Sequence, residues 1–285
     1  MTKQTRFSVQ VPATTANLGP GYDCLGVALQ MYNRVTVFPA REPAKHPMAT
    51  AAAEAFFAAA GLESFLFDWK IEGEVPIARG LGSSVTVRLG LLHGLNALCG
   101  KPLGIEEIFA LCARLEGHPD NAAPAAFGGF TVATAGGGCV RFDVLPALRF
   151  VLLIPDFEVS TSRARKVLPA MLPHEHAARN CASACRIVAA FARQDYALLR
   201  GSFGDFLHQP YRLPLVPFLD DVIRAGEEAG ALGGFLSGSG STVGCVTLES
   251  PEAVARAMLA ASRSVGARTV ITTADNQGAR IAEAN

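Results

Sequence analysis

The feature that most constrains this chain is a glycine-rich stretch from Pro76 to Thr86, placed between a strand pattern and a helix pattern. Before it, apolar and polar residues alternate from Phe67 to Glu72, which is the period of a half-buried strand. After it, apolar residues recur at spacings of three and four from Val85 to Leu98. The stretch therefore predicts a tight loop that leads into the N-terminus of a helix.

A helix N-terminus that follows glycines is suited to binding phosphate. Gly80 and Gly82 can adopt positive φ, and Ser83 and Ser84 can cap the helix. The unpaired N–H groups and the positive end of the helix dipole stabilise an anion without a lysine. A P-loop is excluded, because Gly82 is followed by Ser83 and Ser84 instead of Lys and Ser or Thr. For this stretch alone, an ordinary strand-turn-helix connection remains an open alternative.

Composition limits the class of protein. The chain has 285 residues, with 25 basic and 25 acidic side chains. Zero net charge leaves no electrostatic footprint for nucleic acid or an anionic membrane, and no segment approaches 18 uninterrupted apolar residues. We therefore expect a soluble cytoplasmic protein with no nucleic-acid or membrane partner. The seven scattered cysteines favour reduced thiols over a disulfide framework or a zinc site.

The order of helix and strand patterns predicts an α+β fold, because the two kinds of element intermix without a strict βαβ rhythm. The apolar run from Phe150 to Ile154 predicts a buried strand, and we place a domain boundary just before it, giving domains 1–148 and 149–285. A first strand from Phe7 is expected to end at Pro12. Helical stretches are predicted over 49–60, 85–98, 105–115, 177–191, 203–212, 216–229 and 252–262.

Three other loops are dense in polar or small residues. The loop 13–26 contains Asn17 and Asp23, each of which could contact a ligand or close its own Asx-turn. The loop 116–124 follows a predicted helix, and a second glycine-rich turn spans 232–242. Loops of this kind carry either a turn or a site.

Four stretches, in this order, resemble the GHMP small-molecule kinases: 12–29, 76–86, 116–129 and 236–242. Two further segments, 160–165 and 207–212, resemble the branch of that family that acts on homoserine. The resemblance spans nearly the whole chain. It implies an N-terminal domain like the second domain of ribosomal protein S5, a ferredoxin-like C-terminal domain, and an active site between them.

The resemblance also implies an activity, the transfer of the γ-phosphoryl group of ATP to the side-chain hydroxyl of L-homoserine in threonine biosynthesis. It implies Asn121 and Ser84 as catalytic residues, with Ser84 and Glu116 near Mg²⁺. The implied substrate-binding residues are Asn17, Asp23, His118, Arg165 and Arg212. The implied ATP-binding residues are Pro76, Ile77, Ala78, Arg79, Gly80, Leu81, Gly82, Ser83, Ser84, Val85 and Thr86.

Physical chemistry is consistent with these implied roles. Phosphoryl transfer requires mainly alignment and charge neutralisation. A zwitterionic amino acid needs an arginine at its carboxylate and an acceptor such as Asp23 at its ammonium group. Two alternatives stay open from the residues alone: His118 as a structural loop histidine, and Arg212 as a surface arginine packed on Tyr211. Whether Asp120 acts as a general base is undecided.

Some residues depart from the family pattern. Arg88 stands in a helix where the family has small residues, and we expect it to point outward or to pair with a carboxylate. The turn 238–241 keeps two glycines but lacks the family's proline.

The competing functions are a kinase for another small hydroxylated metabolite, an RNA-binding module and a nucleotide sensor. The oligomeric state is left open, with a homodimer among the alternatives.

Overall fold

The computed structural model describes residues 6–42, 44–134, 138–263 and 266–284. The strands are β1 (Phe7–Ala16), β2 (Leu25–Pro39), β3 (Phe67–Gly73), β4 (Phe130–Ala133), β5 (Cys139–Phe142), β6 (Arg149–Ile154), β7 (Gly233–Leu236), β8 (Val243–Thr247), β9 (Arg268–Thr272) and β10 (Arg280–Ala284). The helices are α1 (Pro47–Ala60), α2 (Ser83–Leu98), α3 (Ile105–Glu116), α4 (Ala122–Phe127), α5 (Thr161–Lys166), α6 (His174–Arg193), α7 (Gln209–Arg212), α8 (Leu219–Glu228) and α9 (Pro251–Ser262). The predicted α+β class is confirmed.

The first sheet has the strand order β10-β1-β2-β4-β5, with β3 also paired to β2. Helices α1 to α4 cover one of its faces, where Val35 and Val37 of β2 belong to the core. Helix α2 lies close to β2, because a Cβ on Gly90 or Gly94 would come within 2.4 Å of those valines. The two glycines thus let the helix that follows the glycine-rich loop pack directly on the sheet.

The second sheet has the strand order β7-β8-β6-β9, and all three pairings are antiparallel. Helix α8 leads into β7 and packs beside α9, which connects β8 to β9, and this is the split βαβ arrangement of a ferredoxin-like domain. Strand β6 is buried on both faces, since Phe150 and Leu152 join one core cluster while Val151 and Leu153 join another. This explains why its sequence is a continuous apolar run.

The two halves of the chain share a hydrophobic core. Phe130 of β4 stacks on Phe191 of α6 with ring centroids 4.0 Å apart, and Phe150 and Phe235 of the second sheet belong to the same cluster. The end of the chain also returns to the first sheet, where β10 pairs with β1. The boundary at residues 148 and 149 stays a prediction, but the last strand lies with the first half of the chain.

Two predicted elements differ from the structure. Strand β1 continues through Pro12 to Ala16, with an irregular register between Pro12 and Ala13 that accommodates the missing N–H group. Most of 203–212 is not helical, because the carboxylate of Asp205 accepts from the N–H groups of Leu207, His208 and Gln209 and fixes a turn there. Helix α7 begins only after this turn.

The structure also contains elements that the sequence patterns did not reveal. Helix α4 begins inside the stretch 116–124 expected to be a loop, and β5, β7, β10 and α5 are short segments without a strong period. Within the described ranges, no helix combines the length and the apolar character needed to span a lipid bilayer.

Candidate active site

A cavity of about 640 Å³ lies between the glycine-rich loop and segments from the second half of the chain. Concave sites of this size, with a few convergent polar groups, are where small molecules bind. The predicted catalytic, substrate-binding and metal-binding residues all line it: Ser84, Asn121, Asn17, Asp23, His118, Arg165, Arg212 and Glu116. The structure therefore brings these side chains together, while their individual roles stay predictions.

The glycine-rich loop contributes one wall of the cavity. Of its eleven predicted ATP-binding residues, all of which the structure describes, eight line the cavity: Ile77, Ala78, Arg79, Gly80, Gly82, Ser83, Ser84 and Val85. Leu81 and Thr86 are buried in the protein and, with Pro76, lie outside the lining. The side chain of Arg79 pairs with Asp156 and Glu158, so it anchors the loop to the second domain.

Helix α2 begins without a side-chain cap. Gly82 is the N-cap residue, with φ +70°, and Ser83 and Ser84 lie in the first turn, so neither serine caps the helix as the sequence suggested. A Cβ on Gly82 would come within 2.1 Å of Oγ1 of Thr14, so only glycine is accommodated there. The first N–H groups of the helix remain available to a ligand at the positive end of the dipole.

Ser84 and Glu116 contact each other across the start of α2. Ser84 Oγ donates to Glu116 Oε2 at 3.0 Å, and Arg88 donates from Nη1 to Oε1 of the same carboxylate. The expectation that Arg88 would find a carboxylate is confirmed, and its partner is the predicted metal ligand. Hydroxyl and carboxylate oxygens are hard donors of the kind Mg²⁺ binds, so this pair of residues is chemically suited to that ion.

Asn121 belongs to a buried hydrogen-bond network. Its Oδ1 accepts from Oγ1 of Thr14 at 2.7 Å, and its Nδ2 donates to Oδ1 of Asp120 at 3.3 Å. Asp120 Oδ1 also contacts Nδ1 of His118 at 2.6 Å. Burial lowers the pKa of His118. The hydrogen bond to Asp120 and the negative charge of that carboxylate outweigh burial, so the pKa of His118 is raised overall. The network fixes the Asn121 amide beside Gly82 of the loop.

Asp23 and Arg165 form a bidentate ion pair at the wall of the cavity. Nη2 of Arg165 donates to Oδ1 at 2.7 Å and Nη1 donates to Oδ2 at 3.0 Å. Nη1 also donates to the hydroxyl of Tyr22. Asn17 holds the same loop, because its Oδ1 accepts from the N–H of Asp23 and its Nδ2 donates to the carbonyl of Gly238.

Arg212 is buried, with 2% of its surface exposed, and it contacts backbone instead of acidic side chains. Its Nε donates to the carbonyl of Ala164 and its Nη1 donates to the carbonyl of Gly238. Among the described residues it forms no salt bridge. The aromatic ring next to Arg212 is that of Tyr22, whose centroid lies 5.4 Å from Cζ of the guanidinium. The alternative of a surface arginine packed on Tyr211 is therefore wrong. A buried guanidinium that forms no direct salt bridge with the described residues favours an anionic ligand.

A further part of the lining is largely apolar and aromatic. His46 and Trp69 meet edge to face with centroids 5.6 Å apart, and Met48 and Ile71 lie in the same wall. Such a surface suits a flat heteroaromatic group. The cavity thus combines an apolar region, a helix N-terminus and a charged region.

Three residues of the site were missed by the sequence patterns. Thr14 orients Asn121, Tyr22 lies against both Arg165 and Arg212, and His208 contacts Nη1 of Arg212 at 3.2 Å through Nδ1. No local pattern reveals Thr14 and Tyr22, because their partners are remote in sequence, whereas His208 lies four residues before Arg212 and the spacing of one helical turn is a signal that could have found it. The backbone of the structure does indicate a site in this loop, because Asn17, Leu18 and Asp23 all have positive φ. Non-glycine residues in this conformation cluster at active sites and ligand-binding regions.

Comparison with known proteins gives consistent matches. The model of the GHMP kinases N terminal domain matches residues 47–129, and that of GHMP kinases C terminal matches residues 187–263. The chain is 41% identical to the homoserine kinase of Moorella thermoacetica over 252 residues, covering 82% of this chain and 85% of that one. It is also 41% identical to the homoserine kinase of Deinococcus radiodurans, covering 84% and 83%.

The fold is similar to that of a solved protein over almost its full length. The crystal structure of homoserine kinase from Cytophaga hutchinsonii superposes with a TM-score of 0.89, covering 99% of this chain and 98% of that chain. The sequence identity is 24%, so this likeness concerns the fold alone.

Proposed function

The chain belongs to the GHMP kinase family, and from this premise we propose that it transfers the γ-phosphoryl group of ATP to the side-chain hydroxyl of L-homoserine, giving O-phospho-L-homoserine and ADP. The observation that supports the substrate assignment is Arg212, a buried guanidinium at the cavity wall that forms no salt bridge among the described residues. An amino-acid carboxylate supplies the missing negative charge and accepts from Nη2, the guanidinium nitrogen that donates to none of the described residues.

The nucleotide is proposed to lie along the glycine-rich loop. Its phosphates bind the uncapped N-terminus of α2, where Gly80 and Gly82 keep side chains out of the way. Its base binds the region of His46, Met48 and Trp69. This arrangement needs no lysine, because backbone N–H groups and the helix dipole provide the positive potential.

Ser84 and Glu116 are the residues that would hold Mg²⁺. The ion, when bound, neutralises the negative charge that the phosphates carry during transfer. The protein's own part is to present one hydroxyl and one carboxylate, already 3.0 Å apart, beside the first turn of α2.

The amino acid is proposed to bind with its carboxylate at Arg212 and its ammonium group at Asp23. Asp23 also forms an ion pair with Arg165, so the two side chains present both an acceptor and a cation to a zwitterion. The hydroxyl to be phosphorylated then lies near Asn121, whose amide is fixed by Thr14 and Asp120. The identities at 41% with two homoserine kinases support this substrate over other small alcohols.

Release of ADP from ATP and Mg²⁺ tests the proposal with a panel of L-homoserine, L-threonine, L-serine and mevalonate. We expect L-homoserine to be the best acceptor by kcat/KM and turnover to require the divalent ion. Equal or faster turnover of mevalonate or threonine overturns the substrate assignment and favours another small hydroxylated metabolite. Location in the cytoplasm and self-association as a homodimer stay predictions from the sequence.

A further inference from the structure

Arg88 lies one helical turn after Ser84 on α2 and reaches the end of α3, where Glu116 is the last residue. It donates from Nη1 to Oε1 of Glu116, while Ser84 donates to Oε2. The side chains of Arg88 and Glu116 are 20% and 8% exposed. Arg88 is not part of the cavity lining, so it can act on the site only through its contact with Glu116.

The pairing has a clear electrostatic reason. Glu116 ends a helix, and the negative end of the dipole disfavours a carboxylate at that position. Burial of an unpaired carboxylate is also strongly unfavourable. Arg88 removes both problems, because it places a full positive charge on one carboxylate oxygen and leaves the other oriented toward Ser84.

The same pairing changes what Glu116 can offer a cation. Glu116 and Arg88 together carry no net charge, so a divalent cation that approaches the free oxygen also meets the charge of the guanidinium. Nucleotide phosphates at the N-terminus of α2 bring the negative charge that this protein site lacks. Cation binding then becomes favourable only when the nucleotide is present.

We propose that Arg88 is a positioning residue that acts as the built-in counter-ion of Glu116 and makes divalent-cation binding depend on bound nucleotide. The inference rests on the proposed function at one point, which is that the cation binds at Ser84 and Glu116. A purely structural ion pair would affect the stability of the protein but would leave the cation affinity of the folded protein unchanged.

Binding of Mn²⁺, followed by electron paramagnetic resonance, tests the proposal without any turnover. Titrations are done on the full chain, without nucleotide and with a non-hydrolysable ATP analogue. Arg88→Gln keeps a hydrogen-bond donor for Glu116 and removes the charge, whereas Arg88→Lys keeps the charge. Arg114→Gln is the matched control, since Arg114 is an exposed arginine on the helix that carries Glu116. Arg88→Met is a second neutral variant, and thermal melts show which variants are folded.

Removal of the repelling charge is expected to raise the nucleotide-free Mn²⁺ affinity of Arg88→Gln by about fivefold or more over wild type. Arg88→Lys and Arg114→Gln should stay close to wild type. The gain should disappear in the double variant Arg88→Gln, Glu116→Gln, because the carboxylate that binds the ion is gone. The ratio of Mn²⁺ affinities with and without nucleotide should be largest for wild type and Arg88→Lys.

An unchanged or lower nucleotide-free affinity in folded Arg88→Gln and Arg88→Met overturns the inference. If Glu116→Gln weakens Mn²⁺ binding with nucleotide while the Arg88 variants change nothing, the metal site stands and only the role of Arg88 falls. If Glu116→Gln leaves Mn²⁺ binding unchanged, the metal site and the role of Arg88 both fall. The kinase activity is judged separately, by the acceptor panel.

Discussion

Arg212 is held in place by neutral partners before any ligand arrives. His208 is fully buried, and burial lowers its pKa to about 4. Its Nε2 lies 2.9 Å from the carbonyl of Gly19, which can only accept, so Nε2 carries the proton and Nδ1 is free to accept from Arg212. The ring therefore orients the guanidinium without cancelling its charge.

Replacement of Arg212 is expected to affect the amino acid far more than the nucleotide. Loss of one partner of a desolvated charge pair costs about 2–5 kcal/mol, so Arg212→Leu should raise the homoserine KM by roughly 30-fold to several thousand-fold. Arg212→Lys should restore only part of the loss, because a lysine ammonium cannot reproduce the planar guanidinium that donates to the carbonyls of Ala164 and Gly238 and still presents Nη2 to a carboxylate. Steady-state kinetics with each substrate varied in turn measures both KM values. A joint rise in the ATP and homoserine KM would place Arg212 elsewhere.

The buried histidines should make stability fall as the pH is lowered. Folded His208 stays neutral down to about pH 4, whereas the unfolded chain takes up that proton below about pH 6.5. Unfolding is therefore coupled to proton uptake, and the contribution present at neutral pH is lost progressively between these values, up to about 3 kcal/mol. Burial also lowers the pKa of His93 to about 4, which adds to the slope.

Denaturant unfolding of wild type and His208→Gln at several pH values between 7 and 5 checks this expectation. The variant should show a shallower loss of unfolding free energy with falling pH, and the remaining slope should come partly from His93. His174→Gln, which changes an exposed histidine, is the control. Identical slopes for all three proteins would contradict the role given to His208.

Several residues that line the cavity could be predicted from the sequence, but most of their partners could not. The family resemblance implies Ser84, Asn121 and Arg212 as site residues, and the structure brings all three to one cavity. The partners come from far away, as with Thr14 and Asn121, which are 107 positions apart. Such pairings depend on how the two sheets pack, and no local period or motif reports them.

At the scale of elements, the glycine-rich turn that joins β7 to β8 lies directly against the loop that precedes α2. Ser237 donates from Oγ to the carbonyl of Gly80, and the N–H of Thr242 donates to the carbonyl of Arg79. The sequence predicted two glycine-rich turns, and the structure shows that the glycines of one make room for the other. These two bonds join the turn between β7 and β8 of the second sheet to the loop that precedes α2 of the first domain.

Gly80→Ala is expected to separate the two turns. A Cβ there would lie 2.1 Å from the carbonyl oxygen of Ser237, and the φ of +75° adds strain. The ATP KM should rise and the melting temperature should fall. Gly61→Ala is the matched control, because Gly61 has a φ of +64° with nothing within 4 Å of a Cβ. An equal effect of both changes on the ATP KM would show that backbone strain alone is responsible.

At the scale of the whole molecule, the end of the chain fastens the two domains together. Asp275, which is 3% exposed, accepts from the hydroxyl of Tyr32 at 2.7 Å, from Arg280 and from the N–H groups of Gln277 and Gly278. These bonds hold the chain between β9 in the second sheet and β10 in the first. With the shared aromatic core, they predict that both domains unfold together.

Asp275→Asn should therefore destabilise the entire molecule. The amide can still accept from two N–H groups, but it cannot serve both Tyr32 and Arg280, so we expect a loss of about 2 to 3 kcal/mol. Thermal unfolding should show one transition at a lower temperature. Asp195→Asn, at an exposed aspartate, should leave the transition almost unchanged. Two separate transitions in the Asp275 variant would instead mean that the domains unfold independently.

The carbonyl of Gly238 accepts from both Asn17 and Arg212, and the preceding residue, Ser237, contacts Gly80. One short segment therefore touches the region proposed for the amino acid and the region proposed for the phosphates. A ligand that orders this segment from one side lowers the entropy that the other ligand must remove, which is positive cooperativity. Calorimetric titrations should show that homoserine tightens binding of a non-hydrolysable ATP analogue. Thermodynamic reciprocity requires that the analogue tighten homoserine binding by the same factor.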